Sequence, residues 1–260
     1  MVIDGRAIAE ELKEGIAEAV RERRTAPTLV LIVVGSNPVT EQFIKIKKKF
    51  AEEVGVLVSE IRFPETATSE VITKAIHEHK KGGIIVQLPL PYSLPMQEIL
   101  NAIPTDADVD ALSSLCKEGK IFPPVVAAMQ EILARHEIPI AGKEAVVVGA
   151  GKLVGGPAAK WLQKEKAKVQ VVDEVTKDLA AITRTADIVV LGAGVPGLLK
   201  PEMVKEGVII LDAGTSEQGG KIVGDADPRC AEKAALFTPT PGGIGPITVA
   251  MVFRNLLTLT

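Results

Sequence analysis

The stretch Glu144-Ala-Val-Val-Val-Gly-Ala-Gly-Lys-Leu-Val-Gly-Gly-Pro157 decides how this 260-residue chain folds. Residues Ala145, Val146, Val147 and Val148 are apolar, mostly β-branched and halted by glycine, the pattern of a short buried strand. Gly149, Gly151 and Gly155 follow, and a helical pattern resumes at Ala158, Trp161 and Leu162. A strand, a glycine turn and a helix N-terminus together make an anion site. Backbone N–H groups point outward there, and the missing Cβ atoms let a pyrophosphate come close. The spacing is Gly-x-Gly-x-x-x-Gly, one residue longer than the commonest dinucleotide fingerprint. A nucleoside-triphosphate loop is excluded, because Leu153 follows Lys152 and no glycine lies five residues before Gly151. An ordinary tight strand-to-helix turn would carry the same glycines. Asp173 favours dinucleotide binding, since it ends the next apolar strand, residues 169–172, about where an acidic group meets a ribose 2′-hydroxyl.

Working outward, the chain is long enough for two modest domains or one large one. Aromatic residues make up only 3%, so the core must be built from Val, Ile, Leu and Ala. A formal net charge of −3 gives no support for nucleic-acid binding. No apolar run approaches a membrane span, and the N-terminus lacks a signal-peptide pattern. Cys116 and Cys230 are far apart, with neither metal spacing nor a disulfide framework, so a reducing cytoplasm is the expected location.

Residues 4–24 carry Ile8, Leu12, Ile16 and Val20 at a spacing of four, which predicts an amphipathic helix. Residues 28–34 form a β-branched strand, stopped by Gly35-Ser36-Asn37-Pro38. Further helices are expected at 39–54, 68–79 and 94–102, with strands at 55–62 and 83–87. An acidic loop at 105–110 leads to a helix at about 124–134. Beyond it the strands fall at 145–148, 168–172, 187–191, 208–212 and 236–238, and a last helix at 248–258. Strands alternating with helices imply parallel βαβ units. The domain boundary is placed near residue 118.

Few residues could carry chemistry. On the helix at 39–54, Phe43, Lys47, Phe50 and Val54 share a face, so a lysine interrupts an apolar stripe. Its stem could cover the core while its amine reaches water. Partly desolvated, it would have a lowered pKa and could relay protons near neutral pH. Gln87 ends a buried strand, where parallel sheets collect ligands, or else bonds the proline-rich turn after it. Asp106, Asp108 and Asp110 alternate like a calcium loop, but Ala111 and Lys117 occupy the positions that need glycine and glutamate, so calcium is rejected. A carboxylate there could instead grip an amidine-like ligand edge. The segment Thr238-Pro-Thr-Pro-Gly-Gly-Ile-Gly-Pro246 is stiff at its prolines and open at its glycines, suited to a flat ligand or to a rigid crossing between domains. His77 and His79 face different directions, and no metal site is expected.

Together these residues resemble the bifunctional methylenetetrahydrofolate dehydrogenase/methenyltetrahydrofolate cyclohydrolase family over nearly the whole chain. The shared strings are Val34-Gly-Ser-Asn-Pro38 with Lys47 downstream, Gly83-Ile-Ile-Val-Gln-Leu-Pro-Leu-Pro91, Asp108-Val-Asp110 and Pro239-Thr-Pro-Gly-Gly-Ile-Gly-Pro-Ile-Thr248. The resemblance implies an α/β fold. Residues 1–118, completed by a C-terminal helix at 246–260, would form the substrate domain, and residues 119–245 a Rossmann-type dinucleotide-binding domain with a cleft between the two. It further implies a homodimer acting on one-carbon derivatives of tetrahydrofolate with NADP or NAD and no metal. Lys47 would be the catalytic lysine, Gln87 its partner and Asp110 the carboxylate that holds the pterin. Phe43, Leu88, Pro89, Gly243, Ile244 and Pro246 would line the folate pocket. Gly149, Ala150, Gly151, Val154, Gly155, Asp173, Thr176 and Thr215 would bind the dinucleotide.

The implied reaction oxidises 5,10-methylenetetrahydrofolate to the methenyl cation, which water then opens to 10-formyltetrahydrofolate. The sequence departs from the family pattern in several places. Phe43 stands where a tyrosine is usual, which leaves open a dehydrogenase with weak or absent cyclohydrolase. Asp-Val-Asp-Gly-Phe becomes Asp108-Val-Asp-Ala-Leu112, and Pro-Cys-Thr-Pro becomes Pro123-Pro-Val-Val126. The cofactor turn lacks the usual serine at Gly151 and any arginine at Ala150 or Gly156. With Asp173 this favours NAD over the family's usual NADP. A non-catalytic dinucleotide-binding module is the remaining alternative, and retention of Lys47, Gln87 and Asp110 argues against it.

Overall fold

The computed structural model describes residues 1–79, 82–115 and 121–260. Cys116 and the boundary expected near residue 118 lie outside them. The chain divides into two compact units, one of Met1–Ala9 with Val125–Thr248, the other of Glu10–Pro124 with Val249–Thr260.

In chain order the elements are α1 (Gly5–Arg21), β1 (Thr28–Val34), α2 (Pro38–Val54), β2 (Leu57–Phe63), α3 (Ser69–Glu78), β3 (Gly83–Val86), α4 (Met96–Asn101) and α5 (Pro124–Arg135). There follow β4 (Glu144–Val148), α6 (Gly155–Lys164), β5 (Lys168–Val172), α7 (Leu179–Thr185), β6 (Ile188–Leu191), β7 (Ile209–Asp212), β8 (Ser216–Gln218), β9 (Lys221–Val223), β10 (Leu236–Thr238) and α8 (Ile244–Leu259). No helix among the described residues is long and apolar enough to cross a membrane.

The unit containing Glu10–Pro124 is built on a parallel sheet in the order β2-β1-β3. Strand β1 explains its own central place. Leu29, Leu31 and Val33 enter one apolar cluster, with Ile16, Val20, Ile44, Val54, Phe253 and Leu256. Val30, Ile32 and Val34 enter the cluster on the opposite face, with Ile72, Ile76, Ile84 and Ile99. Alternate residues of a strand face opposite ways, so a strand apolar at every position is one covered on both faces. Phe50 of α2 stacks on Phe253 of α8 with ring centroids 4.7 Å apart.

The other unit is a parallel five-stranded sheet in the order β10-β7-β6-β4-β5. From β4 the chain goes to β5 on one side and then to β6 on the other. The loop after β4 therefore lies at a topological switch point, where open α/β sheets bind ligands. Met1–Ala9 group with this unit. Val2 bridges Phe237, and the Ile3 amide donates to the Phe237 carbonyl at 2.9 Å, so the N-terminus adds a bridge to the β10 edge.

Three differences from the expected elements have local causes. Helix α8 starts at Ile244, four residues earlier than expected, because Pro246 falls in its first turn, where proline removes no intrahelical hydrogen bond. Helix α7 is only seven residues long and is rich in threonine and alanine, too short to show a period. The β8–β9 hairpin has three-residue strands joined at Gly219 and Gly220, both at positive φ.

Candidate functional site

Helix α2 begins after Asn37, whose side chain accepts from the Thr40 amide at 2.8 Å, with Pro38 in the first turn; it ends at Gly55 in the left-handed region. Its buried face runs through Thr40, Ile44, Ala51 and Val54. Lys47 lies in that line. The expected stripe is thus turned by one position, and Phe43 is 44% exposed. Phe43 covers no core in this unit, because residue 44 and not 43 points at the sheet.

Lys47 Nζ donates to Gln87 Oε1 at 2.9 Å. Gln87 is anchored twice: its amide donates to the Ile32 carbonyl at 2.8 Å, and its Nε2 donates to the Leu88 carbonyl at 2.9 Å. With Nε2 so engaged, Oε1 is the atom left to face the lysine. Burial holds the Lys47 pKa below the usual lysine value, and the nearby Asp110 charge pulls it partway back. Leu88 is half-buried and Pro89 exposed beyond the strand, joined by a cis peptide bond.

The three alternating aspartates separate by environment. Asp106 is exposed. Asp108 is fully buried and accepts from the Ser113 amide at 2.8 Å, while its backbone bridges Ile84 of β3. Asp110 is half-buried, and its pKa is pushed up to about 6 by burial, with Lys47 opposing and Asp108 reinforcing the rise. A lysine pushed toward neutrality and a carboxylate titrating near neutral pH make a pair able to exchange protons with a bound molecule.

Sequence reasoning missed Asn255. Its Nδ2 donates to the carbonyls of Val109 at 2.9 Å and Phe122 at 2.8 Å, fixing the segment between Asp108 and Asp110. The signal was an amide on the apolar face of the helix, close to the buried Phe253 and Leu256. Gly83 serves the same region: a Cβ there would lie 2.4 Å from Val109 Cγ1.

In the other unit the glycine turn behaves as two kinds of residue. Gly149 has φ +94°, and a Cβ on Gly155 would fall 1.6 Å from the Gly149 carbonyl oxygen. These two glycines are required by the turn itself. Gly151 is not: a Cβ there would meet nothing nearer than the Gly192 carbonyl at 4.0 Å. Its open side, with exposed Ala150 beside it and an α6 N-terminus that no side chain caps, fits the phosphates of a dinucleotide. Helix α6 starts at Gly155 itself, and half-buried Val154 packs against Gly192. Asp173 is exposed at the end of β5, and the Thr176 hydroxyl bonds both its amide and its carboxylate. Thr215 is exposed after β7. Gly243, Ile244 and Pro246 also belong to this unit, at the start of α8; Gly243 packs so closely on Gly5 that a Cβ there would lie 1.7 Å from its carbonyl oxygen.

Comparison with known proteins also gives two domains, divided between residues 110 and 123. Residues 3–110 match the family model of the tetrahydrofolate dehydrogenase/cyclohydrolase catalytic domain, and residues 123–260 match that of the family's NAD(P)-binding domain. The bifunctional protein FolD of Staphylococcus aureus is 36% identical over 98% of this chain and 95% of its own length. The crystal structure of the bifunctional enzyme FolD, methylenetetrahydrofolate dehydrogenase/cyclohydrolase, from Campylobacter jejuni superposes with a TM-score of 0.94 at 34% identity, covering 100% of this chain and 98% of that one. FolD from Trypanosoma brucei, solved with NADP cofactor and an inhibitor, gives 0.93 at 33% identity, covering 100% and 96%.

Proposed function

The chain belongs to the tetrahydrofolate dehydrogenase/cyclohydrolase family, and from that premise we propose that it oxidises 5,10-methylenetetrahydrofolate to the methenyl cation with NAD(P) and hydrolyses the cation to 10-formyltetrahydrofolate. The observation that carries the reading is the Lys47–Gln87 hydrogen bond, with the Asp110 charge in reach, inside the segment that matches the catalytic domain.

The dinucleotide, when bound, accepts the hydride that leaves the one-carbon bridge. Gly149, Gly151 and Gly155 would hold its phosphates, and Asp173 and Thr215 stand beyond the strand ends on either side of the switch point. In the hydrolytic half Lys47 does the proton work. A cation formed beside it favours its neutral form, so its amine takes a proton from the water attacking the bridge carbon. As the carbon–N5 bond breaks, a proton passes to N5, and one proton in all is released. Gln87 keeps the amine aimed, and Asp110 accepts hydrogen bonds from the pterin's amino-pyrimidinone edge. On the family resemblance, Phe43, Leu88 and Pro89 of one unit and Gly243, Ile244 and Pro246 of the other are each assigned to folate binding. A homodimer is included on the family resemblance, and a reducing cytoplasm on the two isolated cysteines.

Phe43 favours one variant of this reading, a dehydrogenase with weak hydrolysis, because no phenol stands one turn before Lys47. A single assay tests both. With methylenetetrahydrofolate and a dinucleotide supplied, nicotinamide reduction and methenyl absorbance are followed separately. Both halves active gives reduction without lasting methenyl build-up; stoichiometric methenyl accumulation contradicts the hydrolytic half.

On cofactor choice, Ala150, Gly151 and Gly156 bring no side-chain donor for a 2′-phosphate, and the Asp173 carboxylate would repel one. The NADP complex of the Trypanosoma brucei relative supports the opposite choice, and Lys152 and Lys177 lie close in sequence. NAD is expected to serve at least as well as NADP. Asp173→Ser is expected to raise the ratio of kcat/KM for NADP over NAD by about tenfold or more, by removing one like-charge juxtaposition. A wild-type enzyme with a strong NADP preference would show that Asp173 faces away from the ribose.

A further inference from the structure

Two carboxylates are buried completely at the carboxyl ends of β6 and β7, and the mechanism above uses neither. Asp225 Oδ2 accepts from the amides of Ala193 at 2.7 Å and Gly194 at 3.0 Å, in the turn after β6. The Asp212 carboxylate accepts from the Gly214 amide at 2.9 Å, in the turn after β7, and from the Asp225 and Ala226 amides at 3.3 and 2.9 Å. A second tie joins the same turns: Ser216 Oγ donates to the Gly194 carbonyl at 2.9 Å. The backbone is shaped to admit both acids. A Cβ on Gly214 would lie 2.1 Å from the Asp225 carboxyl carbon, and one on Gly224 would lie 2.1 Å from Asp212 Oδ2.

Such an arrangement costs stability. Buried carboxylates are desolvated, and Asp225 Oδ1 is buried with no hydrogen-bond partner. Burial pushes the Asp225 pKa up, against the pull of the Ala193, Gly194 and Val195 amides. Part of that cost is offset by the amides of Ala193, Gly194, Gly214, Asp225 and Ala226, which the two carboxylates hold in fixed turns. The position of the pair supplies a role. Strands β6 and β7 pair in register, with Leu191 opposite Asp212, on the side of β4 away from β5. In doubly wound sheets the dinucleotide straddles the switch point, so a ribose at the β5 end puts its other half over β6 and β7.

We propose that Asp225 is a positioning residue for the nicotinamide half of the cofactor: its carboxylate holds the turn 192–195, and its amide bonds the Asp212 carboxylate that holds the Gly214 amide, so the turns 192–195 and 213–215 form one preformed pair that receives that half. The proposal rests on the dinucleotide reading of this unit. Preformed turns need no ordering when the ligand arrives, so the effect falls on affinity for the half that they touch.

The test compares binding of the reduced dinucleotide, followed by its fluorescence, with binding of the matching ADP-ribose, which lacks the nicotinamide. Asp225→Ala is expected to weaken the reduced dinucleotide by about tenfold or more, the loss of charge-assisted backbone hydrogen bonds. ADP-ribose affinity should stay within about twofold, the scatter expected for an untouched contact. Asp225→Asn, whose amide oxygen still accepts from Ala193 and Gly194, should recover most of the lost affinity. Should Asp225→Ala fail to fold, Ser216→Ala carries the same comparison, with a smaller loss of the same selectivity. Equal weakening of both ligands, or weakening of neither, overturns the role of Asp225. A wild-type protein that binds neither dinucleotide overturns the reading beneath it.

Discussion

Replacing Lys47 by alanine is expected to slow hydrolysis of methenyltetrahydrofolate by about 10²–10⁴-fold, the range for loss of a positioned general acid–base. The reason lies in how α2 packs. Lys47 occupies the core-facing line of the helix, yet its amine is engaged by Gln87 and not by water alone. Its lowered pKa gives it a larger neutral fraction than a solvated lysine has at the same pH. Alanine fits the helix well, so the fold should survive. Lys48→Ala is the control: Lys48 is exposed and pairs with Glu60, and its loss should leave hydrolysis near wild type. Near-normal hydrolysis in Lys47→Ala would remove the lysine from the proposed chemistry.

Asp110→Asn is expected to weaken folate binding by about 10- to 100-fold, the worth of a hydrogen bond to a charged group, with dinucleotide affinity unchanged. The pH dependence carries a sign. Because the Asp110 pKa is pushed up to about 6, the carboxyl is ionised above that pH and protonated below it. Wild-type folate affinity should therefore fall as the pH drops through about 6, from this group, and Asp110→Asn should lack that limb. An effect confined to the dinucleotide would place Asp110 on the wrong ligand.

Much of this arrangement is written locally in the chain. Strand β1 is apolar from Leu29 to Val34 because both its faces are covered, and the Gly-Ser-Asn-Pro turn after it caps α2 through Asn37. Lys47 is conspicuous as a charge in an apolar line, and the glycine turn declares itself by spacing. What is not local is not legible. Asn255 reaches the Val109 carbonyl across 146 positions, and Asp225 reaches the Ala193 amide across 32. Neither residue belongs to a motif whose spacing names its partner. Phe43 shows the limit of helical periodicity, since a one-residue turn of the buried face leaves it 44% exposed. Asp106, Asp108 and Asp110 look equivalent in sequence; only burial separates the exposed, the anchoring and the titrating carboxylate.

The measurement closest to the central claim is a site-resolved titration of Lys47 by NMR of ¹³C-labelled lysine, assigned through Lys47→Ala and repeated in Asp110→Asn. The account predicts that Lys47 titrates below the ordinary lysine value of about 10.4. It predicts a further fall in Asp110→Asn, because the Asp110 charge is what supports the protonated form. A Lys47 resonance that titrates at about 10.4 in both proteins would contradict the account, leaving the lysine a solvated cation with no special capacity to move protons.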